Sequence, residues 1–210
     1  MSDFHLGSYN CKAKRLYEFL WRNEAEKIYL VGDILEGNVL SRWPPYHDDV
    51  LRLLAERSRA GTEIIFIPGN HDAVFRHHFG VYAGLTITHF SVHECVNGTR
   101  LFVTHGDDVD FFRGDFLLWC IVKLERLTGW HLWEMLRRWF KQTIASHTET
   151  FENKMIVRAH DHGFLGVVCG HIHMPKIVDR GALYMNSGDW VHHCTAIAED
   201  DEGNFHILRG

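Results

Sequence analysis

Five short clusters of residues with metal-binding chemistry recur along the chain: Asp3-Phe4-His5, Gly32-Asp33, Gly69-Asn70-His71-Asp72, His105-Gly106 and Gly170-His171-Ile172-His173. Their donors are carboxylate, imidazole and amide oxygen, a set suited to Mn, Fe or Zn, with no thiolate among them. Side chains alternate along extended chain, so the two donors of Asp-x-His or His-x-His can turn toward one ion. A carboxylate can bridge two ions with its two oxygens. A pair of ions about 3.5–4 Å apart can hold a phosphoryl group and generate a hydroxide nucleophile. A single histidine is more often a surface or hydrogen-bonded residue, and a lone Gly-Asp is more often a turn. Gly-Asn-His-Asp after a β-branched strand is rarer, and the ordered set of five is rarer still.

The elements around the clusters explain how they could meet. Residues 12–23 carry Leu16, Phe19 and Leu20 on one helical face, and 27–31 read as a short buried strand ending at Gly32-Asp33. A second amphipathic helix is expected over 46–59, stopped by Gly61, and a β-branched strand over 62–67, stopped by Pro68-Gly69-Asn70. Asn97-Gly98 between 92–96 and 99–103 is a hairpin signal, and its second strand runs into Thr104-His105-Gly106. Residues 166–169 deliver Gly170 to His173, and strands are expected over 182–185, 195–198 and 205–208. Polar clusters thus follow strand ends, where open α/β sheets place ligands. The fold class is α/β and layered, two β-sheets between helices in one domain over 1–210. Residues 111–160, dense in Trp, Leu and Phe with Arg and Lys interleaved, read as a helical cap insertion.

Composition narrows the function classes. A formal net charge of −5 gives no chain-wide affinity for nucleic acid, and no basic aromatic stripe suggests a nuclease. The chain has 17 His, so position must decide which of them matter. Cys11, Cys95, Cys120, Cys169 and Cys194 form no CxxC pair and read as reduced, buried thiols of a cytoplasmic protein. No apolar run is long enough to span a bilayer, and no secretory signal opens the chain.

The ordered clusters resemble the motifs of the calcineurin-like metallophosphoesterases: D-x-H, G-D-x-x-(D/E)-x-G, G-N-H-D, a His-Gly and G-H-x-H. The resemblance runs from Asp3 to His173. It implies that Asp3, His5 and His173 bind one divalent metal ion, that Asn70, His105 and His171 bind another, and that Asp33 bridges them. Mn2+ is the expected metal, with Fe or Zn as the other candidates. His71 would act over the phosphate as acid or transition-state stabiliser, oriented by a carboxylate, and Glu36 stands where the family carries that partner. Trp43-Pro44-Pro45-x-His47-Asp48-Asp49, the helical insertion and Asn186-Ser187-Gly188-Asp189-Trp190 further resemble the UDP-2,3-diacylglucosamine diphosphatase-like group. That resemblance implies a diphosphatase of lipid A assembly, working by a two-metal-activated hydroxide on a phosphorylated, lipid-linked substrate. Its cap would take acyl chains and touch the inner-membrane surface, giving a peripheral location, with no nucleic acid as partner.

Two departures bear on this. Diphosphatases of that pathway carry Arg where this chain has His71, which sets it on a sister branch. Only Met1 and Ser2 precede Asp3, where the resemblance implies a hydrophobic strand, so Asp3 and His5 are expected to be loosely held. The competing functions are a phosphodiesterase or phosphomonoesterase acting on a small soluble substrate, and a non-catalytic metal-binding scaffold. Asp72 is expected to fix its own loop, and Asp107 and Asp108 the loop after His105. His47, His192 and His193 are considered for substrate contact. His77, His78, His89, His93, His147, His160, His162 and His206 belong to no cluster and are read as ordinary surface or hydrogen-bonded histidines.

Overall fold

The computed structural model of the chain describes residues 1–36, 43–82, 84–109 and 133–210, with side chains of the last stretch from residue 146. In chain order the elements are α1 (Ala13–Arg22), β1 (Lys27–Val31), α2 (His47–Arg59), β2 (Glu63–Ile67), a 3-10 turn (Ala73–His77), β3 (Gly80–Tyr82), β4 (Leu85–Ile87), β5 (Ser91–Glu94) and β6 (Arg100–Val103). They continue with α3 (Trp133–Asp161), β7 (Gly166–Cys169), β8 (Lys176–Asp179), β9 (Leu183–Asn186), β10 (Thr195–Glu199) and β11 (Phe205–Arg209). The first sheet has the order β1-β2-β4-β3 and the second β5-β6-β7-β9-β8, with β10 and β11 as a separate antiparallel pair. Central neighbours run parallel: β1 with β2, β6 with β7, and β7 with β9.

The alternation of side chains along each strand builds four layers. From β1 and β2, Ile28, Leu30, Ile64 and Phe66 turn outward onto Leu16, Phe19 and Leu20 of α1 and Leu53 and Leu54 of α2. Their neighbours Val31, Ile65 and Ile67 turn inward and meet Val103 of β6 and Val168 of β7, so the two sheets face each other. On the far side Phe102, Val167, Cys169 and Tyr184 pack against Phe151, Met155 and Ala159 of α3. Helix, sheet, sheet, helix is the layering that the sequence implied. Each fully buried Leu, Ile or Phe in these layers contributes about 1.5–3 kcal/mol.

The strands expected from periodicity are present, and β1 and β7 have the expected bounds. Periodicity did not reveal β3, β4 and β8. They are short, only Ile87 of β4 among them is buried, and β3 is exposed throughout. Much of the 111–160 range lies outside the described residues. Within it, α3 carries Phe151, Met155 and Ala159 onto the second sheet, which makes that part an outer layer of the core.

Candidate metal centre

Every cluster leaves the same end of the sandwich. Asp33 follows β1, Gly69 to Asp72 follow β2, His105 follows β6, and Gly170 to His173 follow β7. The first residues join them by lying alongside β1. The Asp3, His5 and Leu6 amides donate to the carbonyls of Gly32, Asp33 and Ile34, each at 2.9 Å, and the Val31 amide donates back to Met1 at 2.7 Å. Asp3 and His5 are 0% and 8% exposed. The loosening expected for this segment is therefore absent: its backbone is hydrogen-bonded along β1 and its side chains are enclosed.

Three donor groups form, each with ligand atoms within 4.8 Å of one another: Asp3, His5 and His173; His5, Asp33 and His71; and Asp33, His105 and His171. Asp33 and His5 each belong to two of them, and of the two only the Asp33 carboxylate has a second oxygen with which to bridge. Asn70 sits in the same loop, exposed, and no hydrogen bond fixes its side chain among the described residues.

In His105, His5 and Asp3 one side-chain atom is tied to the surrounding protein, which turns the other toward the centre. His105 Nδ1–H donates to the Val31 carbonyl at 2.9 Å, so in the neutral ring Nε2 presents its lone pair inward. His5 Nδ1 is 3.1 Å from Glu36 Oε2, and Asp3 Oδ2 accepts the His171 amide at 3.1 Å. The remaining atoms, Asp3 Oδ1, His5 Nε2 and His105 Nε2, are buried without a well-aligned hydrogen bond, although Asp3 Oδ1 lies 3.1 Å from His173 Nε2. Buried polar atoms are rarely left so, because each costs about 1–3 kcal/mol. Three of them converging on carboxylate and imidazole donors fit divalent cations, with outer partners fixing tautomer and orientation.

Electrostatics agree with that fit. Burial opposes charge on His105, but Asp33, Asp3 and Asp107 outweigh it and hold the imidazole up at about 9. Burial likewise opposes charge on Asp33, yet His105 and the His71 amide drive its carboxyl far below the usual range. His105 Nε2 lies 3.4 Å from Asp33 Oδ2 without hydrogen-bond alignment, so their attraction is chiefly charge on charge. A pocket that favours positive charge this strongly is built for cations.

The backbone is shaped to the same end. Of the seven non-glycine residues at positive φ among the described residues, five are Asp3, His5, Asp33, His171 and His173, with φ between 52° and 70°. Such conformations cost about 1–3 kcal/mol each and gather at functional sites. The motif glycines are required by contact. A Cβ on Gly69 would stand 2.3 Å from Asp33 Oδ1, and one on Gly170 would stand 2.5 Å from Asp3 Oδ2.

Glu36 spans two imidazoles, with Oε1 2.8 Å from His71 Nδ1 and Oε2 toward His5. The sequence suggested the first contact and missed the second. Asp72 reaches beyond its own loop, accepting amides from Ile34 at 3.0 Å and Leu35 at 2.8 Å as well as Gly69 at 3.2 Å. Burial still pushes its carboxyl up. Asp107 takes Arg76 at 2.7 and 2.8 Å, and Asp108 pairs with Arg158. His47 is not a substrate contact. It is 2% exposed, accepts the Gly7 amide at Nδ1 and meets the Trp43 ring edge-on. Burial lowers its pKa, consistent with a neutral ring acting as acceptor. His193 is held by Asp189 Oδ2 at 2.5 Å. Trp190 is buried against Phe4, and its amide donates to the Asp3 carbonyl, so the Asn186–Trp190 stretch clasps the first cluster.

The chain is similar to known proteins over most of its length. The chain is 25% identical to a UDP-2,3-diacylglucosamine hydrolase of Azotobacter vinelandii over 99% of its length and 95% of the relative's. It is 26% identical to one of Ectopseudomonas mendocina over 97% and 94%. Among solved structures, a Vps29 single mutant from Entamoeba histolytica aligns over 100% of this chain and 96% of that one, with 14% identity and a TM-score of 0.49. The family model for calcineurin-like phosphoesterases matches residues 1–175, and with the converging donor groups it shows that the chain belongs to that family and is a dinuclear metallophosphoesterase.

Proposed function

We propose that the enzyme is a diphosphatase acting on a UDP-2,3-diacylglucosamine-like substrate, with Mn2+ as its metal. Asp3, His5 and His173 would hold one ion, Asn70, His105 and His171 the other, and Asp33 both. When bound, such ions supply an activated water and neutralise the charge that develops on phosphoryl oxygens. The chain's own groups do the rest. The His71 amide donates to Asp33 Oδ1 at 2.8 Å and so fixes the loop that carries its ring at the edge of the centre. Glu36 holds that ring by Nδ1 and leaves Nε2 to face the phosphoryl group and deliver a proton to the leaving oxygen.

The observation that carries the hydrolytic reading is the set of buried ligand atoms around Asp33 that make no hydrogen bond. The diphosphate reading rests on the near full-length likeness to relatives named as UDP-2,3-diacylglucosamine hydrolases. A cap for acyl chains, and contact with the inner membrane, rest on the Trp- and Leu-rich content of 111–160, whose side chains up to residue 145 lie outside the described residues. No helix among the described residues is long and apolar enough to cross a membrane. His71 favours a second reading, a soluble phosphodiester or phosphomonoester, because the pathway's diphosphatases carry Arg there. The test is to load the chain with Mn2+ and follow UMP release from UDP-2,3-diacylglucosamine beside p-nitrophenyl mono- and diesters. Turnover of the lipid nucleotide well above the esters supports the first reading, and ester turnover alone supports the second. No turnover on any of them overturns both.

A further inference from the structure

A second group of donors stands away from the metal centre. His93 lies on β5 and Cys95 directly after it, two residues apart and hence on one side of the strand. Glu199 reaches them from the end of β10, in a different sheet. One ligand atom from each of the three lies within 4.8 Å of the others. The group is remote from Asp33. The Cys95 amide bonds to the Thr99 carbonyl, just before β6 begins, whereas His105 follows the other end of that strand.

The surroundings are those of a fixed, enclosed site. Cys95 is 6% exposed and packs with Leu101 and Met185. The side chains of His93 and Glu199 are 22% and 9% exposed. Glu199 Oε1 accepts the Val96 amide at 2.9 Å, which orients the carboxylate. The His93 ring stands edge-on to Tyr29 at 5.6 Å and to Phe205 at 6.2 Å. His93 Nε2 and Glu199 Oε2 are 2.6 Å apart, an ion pair that would be complete without a thiol. The buried thiol beside it is what an ion pair does not require.

We propose that His93, Cys95 and Glu199 form a separate site for a borderline divalent cation, Zn2+ first, stapling the β5–β6 hairpin to β10 and β11. Imidazole, thiolate and carboxylate are the three ligand types zinc takes, and together they carry two negative charges against its two positive ones. Tetrahedral zinc, with bonds of about 2.0–2.3 Å, sets ligand atoms about 3.3–3.7 Å apart, so His93 and Glu199, now at 2.6 Å, part slightly to admit the ion. Without a cation, burial and Glu199 hold the Cys95 thiol up at about 11. A bound cation reverses that preference, because a coordinating thiol is deprotonated.

The metal centre contains no cysteine, so cobalt distinguishes the two sites. Titrating Co2+ into the metal-stripped chain should produce a thiolate-to-cobalt charge-transfer band in the near ultraviolet. Cys95→Ser and His93→Ala should each abolish the band and bind one equivalent fewer, while ester hydrolysis is unchanged. Asp33→Ala should keep the band, and Zn2+ should displace the cobalt and raise the melting temperature of wild type but not of Cys95→Ser. Circular dichroism of the metal-free variants checks that they fold, and either variant alone suffices if the other does not. A wild-type chain without the band, or a band that survives Cys95→Ser, overturns the proposal.

Discussion

Glu36→Gln is the substitution that most directly probes the coupling of acid and metal ligand. The wild-type carboxylate accepts from two rings, at 2.8 Å from His71 and 3.1 Å from His5. An amide of the same shape has one accepting oxygen and one donating nitrogen, so one ring must lose its acceptor and face a donor. A hydrogen bond to a charged group contributes about 1.5–3 kcal/mol, or about 10–150-fold in rate if it is made only in the transition state. Glu36 is 23% exposed at its side chain, so solvent compensates in part and the lower half of that range applies. The expected result is a fall in kcat of about 10–50-fold on bis-p-nitrophenyl phosphate, with KM little changed. Manganese content separates the two rings. Loss of the His71 contact lowers kcat at full metal occupancy, and loss of the His5 contact lowers occupancy by about 10-fold at limiting metal. Glu36→Asp should recover part of the rate. If Glu36→Gln keeps both rate and metal affinity within about twofold, the shared carboxylate has no role and the reasoning fails.

Other expectations follow from the same geometry. His71→Ala should reduce turnover by about 10²–10⁴-fold while both ions stay bound, as read by kinetics beside elemental analysis. Gly69→Ala sets a Cβ 2.3 Å from Asp33 Oδ1, so it should abolish metal uptake in calorimetry and lower the melting temperature. For the metal-free chain, His105 is raised from 6.5 to about 9, so its stabilising contribution is complete below about 6.5 and lost as pH rises through 9. Asp33 is lowered, so its contribution is present above its unfolded value of 3.8 and is lost as pH falls through its folded one. Thermal melts of the stripped chain should therefore decline between pH 6.5 and 9, and saturating Mn2+ should flatten that decline.

Much of this centre could be read from the chain because each cluster is local. Two donors one residue apart, set off by a glycine, announce themselves without knowledge of the rest. Strands β1, β2 and β7 were equally legible, since their β-branched runs end at Gly or Pro. What escaped was whatever depends on distant packing. His47 sits among residues that resemble a substrate-contact stretch, and only the fold shows its ring turned inward to accept the Gly7 amide. The second arm of Glu36 needs the first residues to lie along β1. The Asp72 carboxylate needs the loop after β1 within reach, a contact across 38 residues. Edge strands such as β3, with every side chain exposed, carry no alternation to detect.

The left-handed turns at Asp3, His5, Asp33, His171 and His173 bear on attempts to transplant this centre. Copying the side chains onto a regular strand would aim each donor to the wrong hemisphere, since a ladder residue cannot adopt that curvature. Glycine there would relax the chain but delete the ligand. A recipient framework must therefore supply torsion as well as residue identity, and must be stable enough to tolerate it before any ion arrives.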